Sequence, residues 1–86
     1  MIPHRIYIEG INPDIIDKFV NSGIVKRTDG KFIEVQTEVS GVLGVICITF
    51  YQSSSLTLYM TVISTLTSLI NHDLIIKEGN HDNGNN

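Results

Sequence analysis

Residues 42–51 form a nearly continuous apolar run in which valine and isoleucine are frequent. β-Branched side chains fit the pleated surface of a sheet, and such a run is typical of a strand buried on both faces. The run therefore predicts a central strand, and Gly44 within it indicates either a bulge or a close approach of another segment. Because no charged residue lies between Glu38 and Asp73, the strand belongs to an uncharged half of the chain.

Three further segments have the composition of strands. Residues 5–9 and 31–39 alternate apolar and polar side chains, which is the pattern of a half-buried strand. Residues 74–77 predict a last short strand. Asp29 and Gly30 are typical of a tight hairpin turn, so residues 24–28 are expected to add an extra strand at the edge of the sheet.

Two segments have helical periodicity. The first begins at Asn12, a preferred N-cap residue, followed by Pro13 at the first helical position, and Gly23 suits its C-terminal end. Its apolar stripe consists of Ile15, Ile16, Phe19 and Val20. The second helix is predicted over residues 56–71, where apolar residues recur at helical spacing opposite a face of serine and threonine.

The order of these elements predicts a ferredoxin-like fold, a two-layer α+β sandwich with the order β-α-β-β-α-β. We expect the first strand and the 42–51 strand to lie side by side and parallel at the centre of the sheet. A chain of 86 residues forms one domain. That domain is predicted to span residues 1–78, and the polar residues 79–86 are predicted to form a disordered tail.

Both helices are expected to cover one face of the sheet, which leaves the other face open. That second face is rich in apolar side chains, and an exposed apolar patch usually marks a binding surface for a partner. Its predicted interface residues are Tyr7, Phe32, Leu43, Val45, Cys47, Thr49 and Tyr51. The sequence thus predicts a non-catalytic interaction module, an adaptor or inhibitor, that self-associates as a dimer or larger assembly through this face or through a sheet edge, and that also binds another protein.

The alternative is a regulatory domain that senses a small anion or metabolite. If the two central strands are parallel, the loops that open the two helices lie side by side, and free N–H groups at helix N-termini attract anions. The candidate ligand-binding residues are Gly10, Asn12, Ser53, Ser54 and Ser55.

Composition and motifs argue against several other functions. A net charge of −3 disfavours binding to nucleic acid, and the aromatic residues of the open face lie among glutamates that repel phosphate. No metal-ligand cluster, cofactor motif or catalytic set is evident, and Cys47 has no identifiable base beside it. The apolar segments 42–51 and 56–70 are shorter than a membrane span, and no secretory signal is visible. These features predict a cytoplasmic protein that is not an enzyme.

Overall fold

The protein is an α+β domain in which helices cover one face of an antiparallel sheet. The computed structural model describes the backbone of residues 4–84 and the side chains of residues 4–76. The elements, in chain order, are β1 (Arg5–Ile11), α1 (Pro13–Val20), α2 (Gly23–Thr28), β2 (Ile33–Ser40), β3 (Leu43–Phe50) and α3 (Leu56–Gly84). The described strands form one sheet with the order β1-β3-β2.

Strand β3 is the central strand, as its apolar run predicts. Ile48 lies opposite Ile6 of β1 and opposite Val35 of β2, so one row crosses the whole sheet. Only alternate residues of β3 are buried, from Gly44 to Phe50, while the intervening ones are half-buried or exposed. Burial on both faces was therefore a wrong expectation for the described chain, because the helices lie on one face only.

The relative direction of β1 and β3 also differs from the prediction. The two strands are adjacent, but they are antiparallel rather than parallel. The turn after β2, where Gly41 has a φ of 65°, reverses the chain within two residues and makes β3 antiparallel to β2. Strand β2 runs in the same direction as β1, since each is antiparallel to the β3 strand between them.

Helix α1 begins where the sequence predicts. The side-chain oxygen of Asn12 accepts a hydrogen bond of 2.9 Å from the backbone N–H of Asp14, and Pro13 occupies the first turn. This cap satisfies one of the amide groups that a helix N-terminus leaves without an intrahelical partner.

Replacing Asn12 with alanine should lower the free energy of unfolding by about 1 kcal/mol, because the Asp14 amide loses its protein acceptor. Urea denaturation followed by circular dichroism measures the loss. Asn12→Ser is the control, since its hydroxyl retains an acceptor and should restore most of the stability. Equal stability of the alanine and serine variants would show that the cap contributes nothing.

The segment after α1 is helical rather than extended. Gly23 does not end α1, which closes at Asn21, but is the first residue of α2. The Thr28 hydroxyl donates a hydrogen bond of 2.5 Å to the carbonyl of Ile24, four residues earlier, and Thr28 is buried. The predicted extra edge strand and its hairpin are therefore wrong, because residues 29–32 connect α2 to β2.

Helix α3 extends well beyond its predicted end at Asn71. No glycine or proline interrupts residues 56–78, and extending an existing helix by one residue is easier than starting a new element. Residues 74–77 consequently continue the helix, so the fourth strand is absent and the described elements do not have the predicted β-α-β-β-α-β order. Leu74, Ile75 and Ile76 are 45–67% exposed, because this part of α3 lies beyond the core.

All side chains of the predicted polar tail lie outside the described range. The backbone of α3 is described to Gly84, side chains are described only to residue 76, and residues 85 and 86 lie outside the described range. The tail over residues 79–86 remains a prediction, as does the boundary of the domain at residue 78.

The core lies between the sheet and the helices. Its fully buried side chains are Phe19, Ile33, Ile46, Ile48, Val62 and Leu66. Gly44 lies on this same face of β3, and a Cβ atom there would clash with the Cδ1 atom of Ile16. Of the two roles considered for this glycine, the structure supports a close approach, here of α1 to the sheet.

Candidate interaction surface

One face of the sheet carries no helix in the part of the chain that the structure describes. We call it the open face. It holds Arg5, Tyr7 and Glu9 from β1, Glu34, Gln36 and Glu38 from β2, Leu43, Val45, Cys47 and Thr49 from β3, and Phe32 and Tyr51 at the ends of β2 and β3. All seven predicted interface residues lie on this surface, because the period of two separates the two faces of each strand.

The apolar residues of the open face are accessible. Tyr7 is 59% exposed and Leu43 is 54% exposed, while Phe32 and Tyr51 are near 40%. Cys47 is a free, half-buried thiol at the centre, opposite Tyr7 on one side and Gln36 on the other. A depression of about 570 Å³ lies on this face around Tyr7 and Cys47.

Acidic groups surround the apolar centre of the open face. Arg5 of β1 and Glu34 of β2 lie on either side of Thr49 in β3, and Glu38 of β2 lies opposite Val45 of β3. The charge of Glu9 is the largest cause that raises the pKa of the Tyr7 hydroxyl above its ordinary value, and Glu38 acts in the same direction. Three carboxylates against one guanidinium make the face net acidic, which disfavours a phosphate backbone as its ligand.

The residues predicted to bind a ligand do not come together. Because β1 and β3 are antiparallel, Gly10 and Asn12 lie at one end of the sheet and Ser53, Ser54 and Ser55 lie at the other. About six strand residues separate the two ends, which corresponds to roughly 20 Å. The expectation of two adjacent helix N-termini is therefore wrong. The predicted anion site required both N-termini at one place, and the structure does not bring them together.

These polar residues have local structural roles instead. The Ser54 hydroxyl donates a hydrogen bond of 2.6 Å to the carbonyl of Phe32, and this links the start of α3 to β2. The hydroxyl oxygen of Ser55 accepts from the amide of Leu58 at 3.1 Å and caps α3. Gly10 has a φ of 73° and lies at the bulge that ends the regular part of β1.

A cleft of about 220 Å³ does adjoin Gly10 and Asn12, between the end of β1 and α3. Its lining is mainly apolar, and its charged residues are Glu9 and Asp73. A mainly apolar lining that includes the acidic Asp73 does not favour the anion that the sequence suggested as a ligand.

The two edges of the sheet differ in how many of their outward-pointing backbone groups have partners, a difference that cannot be read from the sequence. On the outer side of β2, the carboxylate of Asp29 accepts a hydrogen bond of 3.1 Å from the Val35 amide. The amide of Gly30 donates to the Ile33 carbonyl at 2.8 Å on the same side. Within the described residues, no comparable group reaches the outer side of β1 between Arg5 and Glu9. Strand β1 is thus the open edge.

Other kinds of site find no support in the described chain. No three His, Cys, Asp or Glu side chains of residues 4–76 come together as metal ligands would. None of the described helices combines the length and apolar character needed to cross a membrane. Comparisons with protein-family models, with curated proteins and with solved structures find no match to this chain.

Proposed function

We propose that the protein is a non-catalytic interaction module, an adaptor or inhibitor, that self-associates through its open face or through an edge of the sheet. The observation that supports this proposal most is the open face, where Tyr7 and Leu43 present apolar surface that no described helix covers. Large apolar patches of this kind usually mark a binding surface.

The small size of the chain supports the same proposal. A domain of 86 residues with one covered sheet face buries a smaller share of its surface than a larger domain does. Association removes further apolar surface from water at about 25 cal/mol per Å², so it stabilises a chain of this size considerably.

The purified protein is therefore expected to form a dimer or a larger assembly at micromolar concentrations. Size-exclusion chromatography with light scattering gives the mass, and a dilution series shows whether the assembly dissociates reversibly. The monomer mass is 9.6 kDa, so a dimer is distinguished easily. A monomer throughout the range from 1 μM to 1 mM would contradict self-association.

A further inference from the structure

We propose that two copies of the chain pair edge to edge through β1, antiparallel and centred on Tyr7, so that their sheets join into one of six strands. This inference rests on the proposed function, since it names the surface through which self-association takes place. It differs from face-to-face docking, in which the open faces would cover each other.

The hydrogen-bond pattern of β1 supplies the first argument. The Phe50 amide donates to the His4 carbonyl at 2.8 Å, and this fixes the alternation along the strand. The backbone groups of Ile6 and Ile8 therefore point toward β3, and those of Arg5, Tyr7 and Glu9 point outward. The outward-pointing N–H and C=O groups of these three alternate residues can form hydrogen bonds with another strand.

The side chains of this segment supply the second argument, because the segment is complementary to itself. In antiparallel pairing centred on Tyr7, Arg5 lies opposite Glu9 of the second copy, and Glu9 lies opposite Arg5. The two Tyr7 rings form the central pair. Opposite charges and aromatic residues are favourable cross-strand neighbours, and no like charges face each other directly.

The side chains on the helix-covered face of the two paired strands are also complementary. Ile6 lies opposite Ile8 of the second copy, on the side of the helices. Both isoleucines are only partly buried in the single chain, so pairing would remove more of their apolar surface from water. The bulge at Gly10 ends the regular strand after Glu9, and the complementary segment therefore includes the whole regular part of β1.

Strand β2 does not offer an equivalent edge. Its charged residues are Glu34 and Glu38, so no register of β2 with itself pairs opposite charges. Asp29 and Gly30 already form hydrogen bonds with two of its outward-pointing backbone groups.

The two-fold axis of a β1 pair is perpendicular to the sheet. The two open faces would therefore lie side by side and remain available to another protein.

Charge reversal at the two ends of the segment tests the pairing. Arg5→Glu and Glu9→Arg should each weaken self-association at least about tenfold, because each change places like charges opposite each other twice in the symmetric pair. The double variant Arg5→Glu/Glu9→Arg should recover most of the affinity. An equimolar mixture of the two single variants should form a heterodimer, since every cross-strand charge pair is then attractive.

Glu34→Arg provides the matched control. Glu34 is exposed on the open face in the same row as Arg5, but it lies on the opposite edge strand. Its reversal should leave the dissociation constant within about twofold. All of these positions are exposed, so the variants are expected to fold, and circular dichroism verifies that they do.

Two measurements on the unmodified protein distinguish edge pairing from face docking. Hydrogen exchange by nuclear magnetic resonance should show amides of Arg5, Tyr7 and Glu9 that become protected as the concentration rises. Alkylation of Cys47 should proceed at the same rate in monomer and assembly, because edge pairing leaves the centre of the open face uncovered.

A wild-type protein that stays monomeric contradicts the proposed function and edge pairing together. An assembly that survives both single reversals, or that protects Cys47 and leaves the three amides exchanging, overturns edge pairing but leaves the proposed function standing. Loss of association in the single variants with recovery in the mixture supports β1 as the contact.

Discussion

Replacing Phe19 with alanine should lower the free energy of unfolding by about 3–5 kcal/mol. The Phe19 side chain has no exposed surface, and it packs in the core between α1 and the sheet. Removing the ring loses its burial and leaves a cavity that neighbouring side chains fill only in part. At about 0.05–0.15 kcal/mol per residue, a chain of 86 residues has roughly 4–13 kcal/mol of stability in total. This single change therefore removes a large fraction of it.

The control is the same truncation at a less buried phenylalanine. Phe32 is 40% exposed on the open face, so Phe32→Ala should cost less than half as much as Phe19→Ala. Urea unfolding followed by circular dichroism measures both variants. If Phe19→Ala does not fold, Phe19→Leu keeps most of the volume and should show a smaller, measurable loss. Equal losses at the two positions would mean that α1 does not pack on the sheet as described.

The three strands of the sheet and the two faces of each could be predicted from the sequence because the relevant pattern is local. Alternation with a period of two assigns each side chain to a face regardless of where the neighbouring strands lie. Ile46 and Ile48 are buried under the helices, whereas Val45 and Cys47 lie on the open face, and both assignments are confirmed. The cap of α1 was also predictable, since Asn12 and Pro13 act within a few residues of each other.

The direction of β1 relative to β3 depends on connections rather than on local pattern. The chain passes from β1 through two helices to β2, and a two-residue turn then fixes β3 antiparallel to β2. The predicted ligand site failed for this reason. Its loops would be neighbours only in a parallel pair, and the antiparallel pairing places them at opposite ends of the sheet.

Two short segments were assigned to the wrong type of element because their composition is ambiguous. Residues 24–28 and 74–77 contain β-branched residues that favour strands, yet both are helical. In the first, burial of Val25 against the core and the Thr28 hydrogen bond stabilise α2. In the second, the helix simply continues from residues that are already helical. Tertiary and neighbouring structure outweighs the intrinsic preference of a short segment.

The self-complementary segment in β1 is visible in the sequence, but its position at an edge of the sheet is not. The segment from Arg5 to Glu9 is symmetric in polarity and opposite in charge at its ends, and this is visible without a structure. Whether it lies at an edge depends on the strand order, and the prediction placed β1 at the centre of a four-stranded sheet. Because residues 74–77 are helical, they do not form the strand that was expected beside β1, and β1 lies at an edge of the described sheet.

Substitution of Gly44 by alanine should destabilise the protein by about 1–3 kcal/mol, although strand propensity alone predicts the opposite sign. Alanine usually stabilises a strand interior relative to glycine by roughly 0.5–1 kcal/mol. At Gly44, however, a Cβ atom would clash with Cδ1 of Ile16 and would lie 3.2 Å from the carbonyl oxygen of Glu38. The side chain of Ile16 must move, and crowding in a packed core costs energy.

A double-mutant cycle tests whether this contact is the cause. Ile16→Val removes the Cδ1 atom that a Cβ at Gly44 would meet, and alone it should cost about 0.5–1.5 kcal/mol. The variant Gly44→Ala/Ile16→Val should be more stable than the sum of the single losses predicts, by at least about 0.5 kcal/mol. Chemical denaturation of all four proteins gives the coupling energy. Strict additivity would assign the loss to the Glu38 carbonyl instead, because that backbone contact is unchanged by the substitution at Ile16.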